Sequence, residues 1–338
     1  MPKKSLILRL SSLGDVILAT SALETLSSGT SVDWIVAREF REVLEGHPRI
    51  SRLWSFDRSL GFSGWIKLCR ELWQENYEQV FDLHFNLRTR LMKVLFFYWG
   101  LRSGRRFSWK SISKERGRLF LFYVLKKRCP KAWRPTPWII RFPSLLGGTK
   151  AQGHPSLKHL LVPDSDQRFG AFYSQQKYVC VMPGSQWKGK NWPVESYVTL
   201  LKTLPFFVVI LGTLKDGESL QLVERLREEK ISFFSGVGIW SLRETATVLA
   251  RAVSYLGGDT GLAHLAEAMG ISAQIIFGPT DPDMGFGPWR SESQAIASDL
   301  GCRPCGKDGR YCYRLDEKYL CLKGLSPDQV QKKITHLK

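Results

Sequence analysis

The chain has 338 residues, more than one hydrophobic core usually supports, so two compact domains are expected. A hydrophobic fraction of 43% with 12 tryptophans excludes a disordered chain, and 24% charged residues exclude a multispan membrane protein. The formal net charge of +18 points to a polyanion or an anionic membrane face as partner.

The opening residues MPKKSLILRLSSLGD are basic and then apolar, but Arg9 interrupts the apolar stretch and no small-residue cleavage site follows, so secretion is not expected. Residues 5–10 predict a short buried strand, SSLGD a turn and 16–26 a helix. VDWIVA (32–37) and QVFDL (79–83) predict further strands, with helical material between them that includes 65–75. The first half therefore reads as an α/β domain with a parallel sheet. The apolar runs VLFFYWGL (94–101) and LFLFYVL (119–125) are too short to span a bilayer and suit core helices as well as a surface. Around them, residues 88–134 hold 15 Lys or Arg against one acid, Glu115. Such asymmetry suits a partner surface, although a solvated basic helix face has the same composition.

Between 134 and 167 the periodicity gives way to Pro, Gly, Ser and His, which marks a domain boundary. This predicts an N-terminal domain over 1–165, a second over 166–320 and a tail over 321–338. In the second domain strands are expected at 178–184, 206–212, 231–236, 253–258 and 273–279. Helices at 193–204, 217–230, 242–252 and 261–270 alternate with them. The expected architecture is two Rossmann-like, doubly wound domains facing a cleft, with ligands beyond the carboxyl ends of the strands.

Three turns carry the candidate chemistry. GGDTGLAHL (257–265) passes from a strand end through glycines into a helix start, where free amides and the helix dipole favour an anion. Asp259 or Thr260 can equally cap that helix with nothing bound. PGSQWKGKNWP (183–193) places a hydroxyl, an amide and two lysines before another helix, and Lys190 can neutralise a diphosphate as a point charge. SSLGDV (11–16) follows the first strand; Asp15 can cap the helix expected from Val16, or accept a proton from a substrate hydroxyl. No Walker motif is present.

RLSSLGDVILATSAL (9–23), PGSQWKGKNWPVESY (183–197) and GGDTGLAHLAEAMGISAQIIFGPTDP (257–282) stand in the order and spacing of glycosyltransferase family 9, the lipopolysaccharide heptosyltransferase family. The segment at 81–107 also resembles that family's acceptor-domain region, and the likeness runs over roughly 5–330. The resemblance implies a GT-B fold and an inverting, metal-independent transfer from the donor ADP-heptose to a hydroxyl of the lipopolysaccharide inner core. Carried onto this sequence, it makes Asp15 the general base and puts Ser185, Gln186 and Lys190 on the diphosphate. Asp259 falls on the donor sugar, and Thr260, Gly261, Leu262 and His264 in the phosphate site. Trp240 falls near the adenine and Glu218 near the ribose. No cofactor is required, and Asp281-Pro282-Asp283 has the letters of a metal-binding DxD pair without its place.

The anionic core precursor gives the basic stretch a partner, with Arg88, Arg102, Arg105 and Arg106 as acceptor-binding residues on an enzyme peripheral to the cytoplasmic face of the inner membrane. No nucleic acid is expected. Cys302, Cys305, Cys312 and Cys321 space as Cys-x2-Cys-x6-Cys-x8-Cys, compatible with a structural zinc site or with unligated or redox-labile thiols. The alternatives to an enzyme are a basic nucleic-acid-binding protein, which lacks a recognition motif, and a non-catalytic nucleotide-sugar-binding protein.

Overall fold

Leu6, Ile7 and Leu8 are wholly buried in the first strand, and burying each such side chain contributes about 1.5–3 kcal/mol. A run that is apolar on both faces can only sit inside a sheet covered on both sides, which is the parallel arrangement. In a computed structural model, which describes residues 4–27, 30–148, 153–162, 177–306 and 308–334, that strand is the centre of a five-stranded parallel sheet. Residues 149–152 and 163–167 of the expected boundary lie outside the described set.

The elements of the first sheet are β1 (Lys4–Leu8), α1 (Leu13–Ala19), β2 (Ser31–Ala37), β3 (Arg52–Phe56), α2 (Gly61–Gln74), β4 (Gln79–Asp82), α3 (Leu87–Ser103) and β5 (Ser108–Ser111). Its strand order is β3-β2-β1-β4-β5. The core on one side gathers Trp65, Leu68 and Leu72 of α2 with Met92 and Phe96 of α3 over Leu6, Leu8 and Val80. The helix expected over 16–26 starts earlier, at Leu13, and tightens into a 3-10 turn over Thr20–Thr25. Both apolar runs of the basic stretch are helical, in α3 and in α4 (Arg116–Leu125).

The second sheet follows α5 (Trp138–Leu145). It is formed by β6 (Tyr178–Met182), α6 (Val194–Leu201), β7 (Phe207–Ile210), α7 (Gly217–Glu228), β8 (Phe233–Ser235), α8 (Leu242–Arg251), β9 (Ser254–Gly258), α9 (Gly261–Met269), β10 (Ser272–Phe277) and β11 (Gln294–Ala297). Two short helices, α10 (Leu320–Lys323) and α11 (Pro327–Lys333), end the described chain. The strand order is β11-β10-β9-β6-β7-β8, all parallel.

Contacts group residues 1–114 and 138–159 into one unit and 115–137 and 160–338 into another, so the chain passes between units more than once. The basic stretch is thereby divided: Arg88, Arg102, Arg105 and Arg106 belong to the first unit, and residues 115–134 to the second. No helix among the described residues is long and apolar enough to cross a membrane.

Candidate active site

Doubly wound sheets place ligands where the strand order reverses, because the loops leaving the two central strands diverge there. In the first sheet the reversal lies between β1 and β4. The loop after β1 brings Arg9 and Asp15 to this point, and the loop after β4 brings His84.

Arg9 is buried, donates from Nη1 to the Leu83 carbonyl at 2.5 Å, and pairs through Nη2 with Asp15 Oδ1 at 2.6 Å. Asp15 Oδ2 accepts from the Ser12 amide at 3.1 Å and from the Ser12 hydroxyl at 2.8 Å. Ser12, not Asp15, is the N-cap of α1; Asp15 stands at the third helical position and closes the capping box from the other side. Burial pushes the Asp15 carboxyl upward, but the Arg9 charge and the Ser12 hydrogen bonds prevail and hold it below its ordinary range. It is therefore an anion at neutral pH. His84 is driven down to about 3, first by burial and then by the nearby cations led by Arg9, so it presents a neutral imidazole. Sequence reasoning passed over both Arg9 and His84.

Close to this point a cavity of about 420 Å³ is lined by Phe62, Trp65, Asn86, Leu87, Arg88 and Leu91. The Arg88 guanidinium sits over the Phe56 ring at 5.5 Å. Arg102 is exposed and lies over Tyr98 at 5.2 Å, and Arg106 is exposed. Arg105, expected among the acceptor-binding residues, is engaged within the fold: it stacks on Trp73 at 4.3 Å and donates to the carbonyls of Trp73 at 2.6 Å and Tyr77 at 3.0 Å. Its donors tie the end of α2 to the loop before β5.

In the second sheet the reversal lies between β6 and β9. Lys190, from the loop after β6, meets Asp259, from the turn after β9, with Nζ to Oδ2 at 2.7 Å. Thr280, after β10, donates to the same carboxylate oxygen at 3.0 Å. Thr260 is the N-cap of α9, so the amides of Gly261, Leu262 and Ala263 are the free donors of its first turn. His264 is buried in that helix with its ring stacked on Trp289 at 5.6 Å. Three residues on, the buried Glu267 accepts from the amides of Trp289 and Arg290, each at 2.9 Å. Burial raises its carboxyl to about 7 against these hydrogen bonds.

Glycines set how tightly the loops close. A Cβ on Gly258 would come to 2.9 Å from the Lys190 carbonyl oxygen, and one on Gly189 to 2.1 Å from the Gly309 carbonyl oxygen. Arg303, buried, donates to the carbonyls of Gly278, Thr280 at 2.7 Å and Ser298 at 2.7 Å, and so fixes the loop after β10. Trp192 Nε1 donates to the Leu325 carbonyl at 2.9 Å.

The other donor candidates lie at the same end of the sheet. Ser185 Oγ, with one proton to donate, lies 2.6 Å from Asn191 Oδ1 and 2.8 Å from the Trp187 carbonyl oxygen, so the hydroxyl is engaged in shaping the loop; Gln186 is exposed beside it. Glu218 is in the first turn of α7, after β7, and Trp240 follows β8, stacked on Phe234 at 5.3 Å. Asp283 of the DPD triplet is ion-paired with Arg134.

The structure lends the zinc alternative no support. Cys302, Cys305, Cys312 and Cys321 line one cavity of about 150 Å³ with Lys126 and Arg314. Among the described residues, however, no group of three or more His, Cys, Asp or Glu side chains is disposed to hold a metal ion. Sharing a cavity wall does not converge sulfurs to the about 2.3 Å that zinc requires.

A family model described as glycosyltransferase family 9 (heptosyltransferase) matches residues 65–312. Lipopolysaccharide heptosyltransferase 1 of Pseudomonas aeruginosa is 26% identical, with 96% of this chain and 95% of that protein aligned. Its namesake from Escherichia coli K12 is 24% identical over 83% and 90%. Among solved structures, a family 9 glycosyltransferase from Veillonella parvula superposes with a TM-score of 0.76 at 19% identity, covering 99% of this chain and 97% of that one. ADP-heptose lipopolysaccharide heptosyltransferase II of E. coli gives 0.72 at 20% identity over 99% and 98%. The fold is thus of the GT-B kind.

Proposed function

The chain belongs to glycosyltransferase family 9, and from that membership we propose that it moves heptose from ADP-heptose to a hydroxyl of the lipopolysaccharide inner core, with inversion and without a metal cofactor. The observation that carries this reading is the Lys190–Asp259 pair at the head of α9, where the second sheet reverses its order.

In the reaction the acceptor hydroxyl gives its proton to the Asp15 carboxylate as its oxygen attacks the anomeric carbon. The bond from that carbon to the β-phosphate oxygen breaks, and its electron pair leaves with ADP. Negative charge grows on the departing diphosphate, and the Lys190 ammonium with the α9 amides stabilises it more in the transition state than before. Asp259, steered by Lys190 and Thr280, offers its other oxygen to hydroxyls of the donor sugar. Trp240 and Glu218 suit the adenine and the ribose. Asp15 lies outside the matched residues 65–312, and its role rests on its ionisation and its place. The acceptor is an anionic glycolipid, so the enzyme works at the cytoplasmic face of the inner membrane.

Purified protein incubated with ADP-heptose and a heptose-free lipopolysaccharide acceptor should release ADP and add one heptosyl unit to the acceptor by mass. Turnover of another nucleotide sugar, with ADP-heptose neither bound nor consumed, would overturn the proposal.

A further inference from the structure

A helix on the outside of a sheet buries one face and gives the other to water, so its outer face should be polar. α3 breaks this rule. Its inner face is the buried set Thr89, Met92, Phe96 and Gly100. Its outer face carries Leu87 at 83% exposure, Val94 at 64% and Leu101 at 86%, with Phe97 and Tyr98 also exposed. At about 100° per residue, Leu87, Val94, Tyr98 and Leu101 fall within about 60° of one another, opposite Met92 and Phe96. They form one stripe. Through Leu87 the stripe runs on into the cavity with Phe62, itself 69% exposed.

The charge around the stripe says what covers it. Residues 83–114 contain eight Lys or Arg and no Asp or Glu. By the same rotation Arg90 and Lys93 flank one edge of the stripe and Arg88 and Arg102 the other. Lys93 and Arg102 lie over the rings of Phe97 at 5.9 Å and Tyr98 at 5.2 Å, so their charged ends stand beside the apolar surface. An apolar stripe rimmed on both sides by cations is the pattern of a helix lying in the headgroup plane of an anionic bilayer. A second copy of this chain fits worse, because a two-fold contact on this face would set two all-basic rims against each other.

We propose that α3 lies in an anionic lipid surface, with Leu87, Val94, Phe97, Tyr98 and Leu101 entering the acyl boundary and the flanking cations meeting lipid phosphates. The proposal rests on the reading of a lipid-linked acceptor for its purpose, but its vesicle-binding test needs neither donor nor acceptor.

The full-length chain is sedimented with phosphatidylcholine vesicles containing or lacking phosphatidylglycerol, beside the triple variant Val94→Ser, Phe97→Ser, Leu101→Ser. Wild type should bind the anionic vesicles and keep part of that binding at about 0.5 M salt, where the screening length falls to about 4 Å. The triple variant should bind roughly tenfold more weakly at low salt and not at all at high salt, since only its electrostatic part remains. Equal binding of the two proteins, or no preference of wild type for anionic vesicles, overturns the proposal. So does a wild-type dimer that the variant converts to monomer with vesicle binding unchanged, which would make the stripe a self-association surface. Transfer to a delipidated, soluble acceptor should be the same in both proteins. If neither transfers, the sugar chemistry fails while the vesicle result stands.

Discussion

Lys190 and Asp259, 69 residues apart in the chain, meet at 2.7 Å where the second sheet reverses its strand order. The lysine orients a carboxylate, and on the proposed function it also neutralises the leaving group. Lys190→Ala should raise the donor KM and lower kcat as well, because the charge it meets grows during departure. Lys190→Arg should restore part of the binding and little of the turnover. Steady-state kinetics with varied donor decide it, and unchanged constants in Lys190→Ala would remove this residue from the site.

Gly258→Ala is the smallest change that disturbs the same pair. The added methyl would press on the Lys190 carbonyl oxygen at 2.9 Å, which is backbone and cannot rotate aside. We expect a stability loss of about 1–3 kcal/mol from overpacking, together with a raised donor KM. Thermal melts measure the first and steady-state kinetics with varied donor the second.

Asp15→Asn should cost about 10²- to 10⁴-fold in turnover, the usual worth of a general base. Because Asp15 neutralises the buried Arg9 and is not itself the cap, the substitution should also lower the melting temperature. The carboxyl is held below its unfolded value, so its contribution to stability is present above about pH 4 and fades as pH falls through the folded value. Wild type should therefore lose stability at that acid end, and the variant should lack this component. Turnover within a few-fold of wild type would place the base elsewhere.

Glu267 has the opposite sign. Its carboxyl is raised to about 7, so the native state binds the extra proton, and stability from this group falls as pH rises from about 4.5 towards 7. Glutamine accepts the Trp289 and Arg290 amides without ionising. In Glu267→Gln the melting temperature should show a flatter dependence across that window; an unchanged slope would mean the group titrates normally.

Arg105 and Arg106 are neighbours with different work. Arg105→Gln should destabilise by about 1–3 kcal/mol, because two carbonyls lose a charged donor. Arg106→Gln should leave the melting temperature unchanged and weaken binding to anionic vesicles. Urea denaturation of the two variants separates the roles.

The inner strands β1, β2, β4, β6, β7, β9 and β10, and the outer strand β8, could be read from the sequence because each is an apolar run flanked by turn residues. β3 (RLWSF), β5 (SWKS) and β11 (QAIA) escaped, being short outer strands of mixed polarity. Among the site residues, Lys190 and Asp259 stood out because glycines and a helix start surround each. Arg9 registered only as an interruption of an apolar stretch; its partner became visible once α1 was seen to begin at Leu13. His84 carries no local signal, since its setting comes from β4 lying beside β1, a pairing that spacing does not encode. The cysteine spacing matched a metal motif, yet spacing says nothing about where the sulfurs converge.

The contacts of residues 303–325 bear on how the loops of the second sheet keep their shape. Gly309 packs against Gly189, Arg303 anchors the carbonyls of Gly278 and Thr280, and Leu325 receives the Trp192 indole. The two loops that hold Lys190 and Thr280 are thus braced by residues 303–325, which follow the last strand of the sheet. A chain shortened to about residue 300 keeps every strand of both sheets, but its loops after β6 and β10 lose these braces. On the proposed function, such a shortened chain should lose its affinity for ADP even where most of its sheet has folded.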